Sequence, residues 1–297
     1  MTINNKDHHI PVMLDEVLDY FNLKKEGIYV DCTFGKGGHS RTILEKLEKG
    51  RLIAFEWDDK SSSLVKNDNF FSSPHFHLIN DNFANLEEHL KKMGIREVDG
   101  LLFDLGLSSG QLAEEGRGFS YRLNSPLDMR INEKIKLKAE DVINNYSCEK
   151  LADIFYHYGE EKKSRIIARK ICYWREKEKI TNSEQLVGII ASCFSQKGHK
   201  HPARKVFQAL RIFINNELEN LTQALEGAIK HLAIGGKIIV ISYHSLEDRI
   251  VKQTFKKHNS SANFQIITKK PLVPTQREIM ENHRARSAKM RVIARRM

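Results

Sequence analysis

The 297-residue sequence has no run approaching the roughly 18 apolar residues that cross a bilayer, and its N-terminus, rich in Asn, Lys and His, lacks the apolar stretch of a secretory signal. Neither membrane insertion nor export is expected, and the chain reads as cytoplasmic. It has only four cysteines, Cys32, Cys148, Cys172 and Cys193, and none forms a CxxC pair. That scatter argues against a disulfide framework and against a standard zinc site, leaving reduced and mostly buried thiols. His199 and His201 lie near Cys193, but a fourth ligand is missing, so no metal is expected. There is also no internal repeat and no low-complexity tract.

What is present is positive charge, in two places. From Lys134 to Lys205 there are 16 Lys and Arg against 9 Asp and Glu, and from Arg249 to Met297 there are 13 against 2, so the rest of this +10 chain is net acidic. An acidic body with two basic segments suits a polyanionic partner, because Lys and Arg displace counterions from phosphates. Either segment alone reads equally well as a solvated basic surface; their concentration favours nucleic acid.

The length allows two lobes. Ile28 to Cys32 is a β-rich apolar run that breaks into glycines at Gly35, after which Ser40 is placed to cap a helix through Leu47. Arg51 to Glu56, Phe76 to Ile79 and Val98 to Phe103 give three further strands with helical segments between them. Such alternation builds a parallel sheet covered on both faces, an α/β Rossmann-like fold. The pattern stops after Asp104. Residues 113–205 carry mainly helical spacing and read as an insertion, so that residues 1–112 and 206–297 form the main domain. The sheet pattern resumes with a helix from Val206 to Leu232, stopped by Gly235 and Gly236, and a buried strand from Lys237 to Ser242. Phe264 to Thr268 and Met290 to Ala294 are expected to pair as antiparallel strands.

Ligands of open α/β sheets bind beyond the carboxyl ends of the strands, where the turn Gly35, Lys36, Gly37, Gly38, His39 falls. Glycines there admit positive φ and let backbone approach a ligand. The dinucleotide pattern fails because its third glycine falls at Ser40, and the P-loop pattern fails because Gly37 follows Lys36. Glu56 ends the second strand, where a carboxylate accepts from both hydroxyls of an adenosine ribose. Asp31 is placed to face the donor's amino group and Phe83 to pack on adenine. The cofactor expected on these grounds is S-adenosyl-L-methionine. A phenylalanine such as Phe83 is more often simply core, whereas Asp31 and Glu56, which would otherwise be solvated loop acids, favour the functional reading.

Asp104, Leu105, Gly106, Leu107, Ser108 and Ser109 follow the fourth strand, beside the expected cofactor cleft. Methyl transfer from a sulfonium is an in-line displacement, so the protein must align the nucleophile and help it lose a proton. Methylation at C5 of a pyrimidine, which needs an attacking cysteine, is disfavoured because Cys32 alone sits near the cleft, beneath the turn. Ser242 to Arg249 follow the fifth strand and should line the same cleft, with Tyr243 available to stack on a flipped base and His244 to shuttle a proton.

With these residues assembled, the chain resembles the bacterial small-subunit (16S) ribosomal RNA methyltransferases that act on the exocyclic N4 of a decoding-centre cytosine. The segments that carry the likeness are His9 to Val17, Asp31 to Ser40, Asp104 to Gln111, Arg117 to Ser120, Pro126 to Arg130, Phe207 to Ile212, His244 to Lys252 and Asn282 to Arg291. The resemblance implies donor contacts from Gly37, Gly38, His39, Glu56, Phe83, Asp104 and Gln111, and it assigns the insertion to RNA recognition. Asp104, Ser108 and His244 are the candidate catalytic residues. The chain departs from the family pattern at Glu56 (commonly aspartate), and at Gly110 and His283 (usually proline). The substrate the resemblance implies is small-subunit rRNA, naked or as the assembled 30S particle, and monomer and homodimer both stay open. Two rivals remain: a methyltransferase for another RNA atom, and a catalytically silent RNA-binding assembly factor. An intact turn with Glu56 argues against the second. The basic tail, including Arg284, Arg286, Lys289 and Arg291, is expected to contact RNA phosphates.

Overall fold

Strands apolar on both faces need cover on both, and the larger unit of this fold supplies it. The computed structural model describes residues 11–65, 68–194 and 201–297, in a unit of Met1–Gly106 with Leu218–Met297 and a unit of Leu107–Glu217. The chain begins with α1 (Leu14–Phe21), β1 (Ile28–Asp31), α2 (Gly38–Glu45), β2 (Arg51–Phe55), α3 (Asp59–Val65), β3 (Phe76–Ile79), α4 (Leu86–Lys92) and β4 (Val98–Asp104). The second unit then contributes α5 (Ser109–Ala113), α6 (Ala139–Asn145), α7 (Cys148–His157), α8 (Ser164–Arg175), α9 (Ser183–Ala191) and α10 (Arg204–Asn215). The sheet resumes through α11 (Glu217–His231), β5 (Leu232–Ser242), α12 (Ser245–Asn259), β6 (Phe264–Ile266), α13 (Gln276–Glu281) and β7 (Lys289–Arg295).

The strand order is β3-β2-β1-β4-β5-β7-β6, parallel from β3 through β5, with β7 antiparallel to both its neighbours. Period-two alternation assigns the faces. Val30, Ile53, Leu101, Phe103 and Ile238 join a core with Leu90 of α4, Leu225 of α11 and Phe255 of α12. Their chain neighbours Tyr29, Leu52, Leu102 and Ile239 join the opposite core with Val17 and Phe21 of α1 and Ile43 of α2. The winding reverses between β1 and β4, so a crevice opens at the carboxyl ends of these two strands.

The second unit has its own core, in which Phe155, Ile167, Ile171 and Leu186 pack with Val206, Phe207 and Leu210 of α10. The single helix expected from Val206 to Leu232 is therefore two. Asn216 breaks it in the left-handed region (φ 51°), which Asn tolerates, and donates its N–H to Ile212 and Phe213 carbonyls. Because α10 belongs to the second core, that unit spans Leu107–Glu217, wider than the 113–205 read from sequence. Gly235 and Gly236 do not stop a helix: α11 passes directly into β5, and Gly235 (φ 77°) lies where the β4 register shifts between Val98 and Gly100. Cys148 and Cys172 are not free thiols but a disulfide between the packed helices α7 and α8, with Cα atoms 6.2 Å apart, while Cys32 and Cys193 are free. His201 stacks on Tyr121, and His199 lies outside the described residues. Among the described residues no helix is long and apolar enough to cross a membrane.

Candidate functional site

The turn after β1 is pinned to the strand ends on either side. Asp31 is buried, and its carboxylate accepts from Thr33 N (3.0 Å) and Ser40 Oγ (2.7 Å). Thr33 Oγ1 accepts in turn from Asp104 N at the end of β4 (2.6 Å). On the other side, Glu56 Oε2 accepts from Gly35 N (3.0 Å) and Oε1 from Asp58 N (2.8 Å). The helix after the turn starts earlier than expected: Gly37, at φ 74°, is the cap of α2, and Ser40 sits inside the first turn with its hydroxyl committed to Asp31.

Two of the glycines are demanded by the protein's packing on itself. A Cβ at Gly37 would lie 2.6 Å from Phe34 Cζ and 2.7 Å from Phe71 Cζ, and one at Gly38 would lie 2.6 Å from Pro11 Cγ. Gly35 differs: at φ 57° its added Cβ would meet only Thr33 O, 3.9 Å away. Its side of the turn is open, so close approach by a ligand is a reading that fits Gly35 but is not needed at Gly37 or Gly38.

Burial dominates the site's electrostatics. It pushes the Glu56 carboxyl up to about 8, against the opposing backbone donors. It likewise raises Asp31, opposed by His39 and Ser40, and Asp104, opposed by His39, Tyr243 and Arg284. In its ionised form each Glu56 oxygen has one backbone donor and keeps a further lone pair, so the carboxylate has capacity for two more hydrogen bonds, the number a ribose diol donates. These acceptors and this turn fit an adenosine-bearing cofactor.

Asp104 is the meeting point of the acceptor side. Tyr243 Oη donates to its Oδ1 at 2.6 Å, and His39 Nδ1 stands 3.7 Å from its Oδ2, while His39 Nε2 donates to the Val12 carbonyl (3.0 Å). Burial and the Asp104 charge hold the Tyr243 phenol well above its ordinary range. Tyr243 is thus tied to Asp104 through its hydroxyl, a use the sequence reading missed.

His244 caps α12. Its Nδ1 accepts from Glu247 N (3.3 Å), while Glu247 Oε2 accepts from the Tyr243 and His244 amides (2.8 and 3.2 Å). The buried Nε2 stands 3.1 Å from Glu247 Oε1 but out of line for a hydrogen bond, and has no other partner among the described residues. The three-residue spacing of a cap and a glutamate before an apolar run was a readable signal for this reciprocal cap.

Phe83 opens a short 3-10 turn, Phe83–Asn85, and meets Phe103 edge to face at 5.9 Å on the margin of the core. In the second unit, Ser108 and Gln111 cap α5 reciprocally: Ser108 Oγ accepts from Gln111 N (3.2 Å) and Gln111 Oε1 from Ser108 N (2.9 Å). The basic tail is partly consumed internally. Arg291 is buried and forks onto Asp248 at 2.6 and 3.2 Å, and Lys289 stands 3.7 Å from the same carboxylate. Arg291 is therefore no free phosphate ligand, contrary to expectation, whereas Arg286 is exposed.

A doubly wound sheet with an antiparallel β7 beside β5, a glycine turn at the switch point and a buried carboxylate on the adjoining strand defines a Rossmann-like methyltransferase. Solved structures of similar fold include an rRNA methylase from Streptococcus thermophilus (11% identity, 97% of this chain and 99% of that one, TM-score 0.48). Others are a Streptococcus mutans protein determined in complex with SAH (11%, 97% and 99%, 0.43) and a SAM-dependent O-methyltransferase from Thermotoga maritima (8%, 99% and 69%, 0.45). The classification rests on a family match rather than on these distant likenesses. The chain belongs to the MraW methylase family, whose model matches residues 6–296. It is an S-adenosylmethionine-dependent methyltransferase of ribosomal RNA.

Proposed function

We propose that this protein methylates the exocyclic N4 of a specific cytidine in the decoding centre of small-subunit (16S) rRNA, in the cytoplasm, on naked RNA or the 30S particle. The segment from Asp104 to Gln111 supports this reading. It resembles the corresponding run of the cytosine-N4 family, and its first residue is a half-buried carboxylate at the switch point. S-Adenosylmethionine, when bound, supplies an electrophilic methyl group. The N4 amine is conjugated with its ring and weakly nucleophilic, so the protein must orient its lone pair and accept its hydrogens.

In this reading Glu56 takes the ribose hydroxyls on its two free lone pairs, Asp31 faces the donor's amino group, and Phe83 lies against adenine. Gly37, Gly38, His39 and Gln111 complete the donor contacts that the resemblance implies. Asp104 takes a hydrogen of the N4 amine, with Tyr243 holding the carboxylate in place. Ser108 and His244 are secondary candidates; each also caps its helix, and His244 Nε2 has no hydrogen-bond partner among the described residues. The second unit is assigned to RNA recognition.

Incubation of the protein and labelled S-adenosylmethionine with 30S particles or naked 16S rRNA from cells lacking this enzyme tests the proposal. N4-methylcytidine should appear after nuclease digestion of one substrate; label in any other nucleoside would refute the assigned atom.

A further inference from the structure

Among the described residues the exposed Phe, Tyr and Trp side chains are Tyr156, Tyr173 and Trp174, all on the packed pair α7 and α8 of the second unit. Tyr173 is 50% exposed and Trp174 43%, on a helix where Ile167, Ala168, Ile171 and Cys172 already supply the core-facing stripe. The rings are therefore not needed to hold α8 down. They meet edge to face, with centroids 6.3 Å apart, and the Lys177 ammonium lies 4.4 Å from the Tyr173 ring centre.

The rest of that face is cationic apart from Ile166, which is 53% exposed. Arg165, Arg169 and Tyr173 form one i, i+4 row, and Ile166, Lys170 and Trp174 form the next. No acidic residue occurs in α8, and Arg165, Arg169 and Lys170 are exposed and make no ion pair among the described residues. The disulfide from Cys172 to Cys148 ties the helix to α7 on the opposite side. The outcome is a face of three cations and two flat rings, with one exposed isoleucine at its N-terminal end.

We infer that this outward face of α8 binds unpaired RNA, with bases stacking on Tyr173 and Trp174 and phosphates pairing with Arg165, Arg169 and Lys170. The inference rests on the reading of RNA as substrate and adds where, and in what form, the second unit grips it. Aromatic platforms set among cations are how single strands are held without regard to sequence. A duplex offers no free base face to such rings, so the surface selects single strands. A protein-docking face would instead concentrate apolar residues and deplete lysine at its centre.

The test is fluorescence anisotropy of the full-length protein with 5′-fluorescein decauridine across a salt series. The Tyr173→Ala, Trp174→Ala double variant should bind about tenfold more weakly or worse, and the corresponding double Phe variant should recover most of that loss. Arg169→Ala with Lys170→Ala should lower the log–log salt slope by about 1.4. Donor titration by calorimetry, unchanged in every variant, reports that the chain is folded.

No binding of decauridine by the wild type, undiminished binding by the double Ala variant, or displacement by duplex RNA as effective as by single strand would each overturn the inference. So would a ring-deletion loss with no salt-dependent component in the wild type, which marks a protein-docking face. If the rings prove dispensable while N4-methylcytidine still forms, this face fails and the cytidine reading stands.

Discussion

The Tyr243 phenol donates to Asp104 Oδ1 at 2.6 Å, joining the end of β5 to the end of β4 across the carboxyl edge of the sheet. This bond stabilises the ionised form of Asp104 against the burial that raises its pKa. Tyr243→Phe removes the donor, so Asp104 should hold its proton to higher pH. The acid limb of the pH–rate profile for methyl transfer is expected to move upward, with donor affinity changed by less than about twofold and kcat reduced about tenfold, the loss of one hydrogen bond to a charged group. An unmoved acid limb would remove Asp104 as the group that must be ionised.

Glu56 gives a stability signature as well as a binding one. Its folded-state value of about 8 lies above the ordinary carboxyl value of 4.5, so the folded protein binds more protons than the unfolded chain between those pH values. Stability without donor therefore falls as pH rises from about 5 to about 8. Asp31 and Asp104 shift in the same direction and share the loss. Glu56→Gln should shrink the difference in thermal midpoint between pH 5 and pH 9 while weakening donor binding at least tenfold by calorimetry. A variant with the wild-type pH dependence would contradict the burial account.

At Gly37 a methyl group meets two phenylalanine rings at 2.6 and 2.7 Å with the backbone at φ 74°. Gly94 shares a positive φ, 68°, but has nothing within 4 Å. Gly94→Ala is expected to cost about 1 kcal/mol and Gly37→Ala about 3 kcal/mol, the excess coming from overpacking. Equal costs in urea denaturation would show that the rings yield freely.

The tail separates into structural and available cations. Arg291→Ala leaves the Asp248 carboxylate with Lys289 at 3.7 Å in place of a fork at 2.6 and 3.2 Å, and should destabilise the fold by about 2 kcal/mol. Its RNA affinity, measured below the unfolding transition, should be nearly unchanged. Arg286→Ala should do the reverse, weakening RNA binding and lowering the salt slope by about 0.7 with little change in stability. RNA affinity lost with Arg291 and kept without Arg286 would invert the assignment.

The strand–turn–helix around Gly35, the strand-end acids Asp31, Glu56 and Asp104, and the antiparallel pairing of 264–266 with β7 were legible because they depend on short-range pattern: apolar runs, glycines and strand-end polarity. The break at Asn216 was not, because the residues on either side keep helical periodicity while their apolar faces enter different cores. Nor was the pairing of Cys148 with Cys172, whose separation of 24 residues is bridged only by the packing of α7 on α8. At the site, the sequence marked Ser242 to Arg249 as polar and strand-terminal but not that Tyr243 would turn to Asp104, 139 residues away. Long-range partners of this kind are fixed by sheet order, which no local spacing encodes.

Position-resolved nucleoside mass spectrometry of small-subunit rRNA from a strain lacking this protein tests the assigned reaction in the cell. Loss of an N4-methylated cytidine in the decoding centre is expected, restored by the wild-type chain and not by Glu56→Ala. An unchanged complement of N4-methylated cytidine in the deletion strain would contradict it.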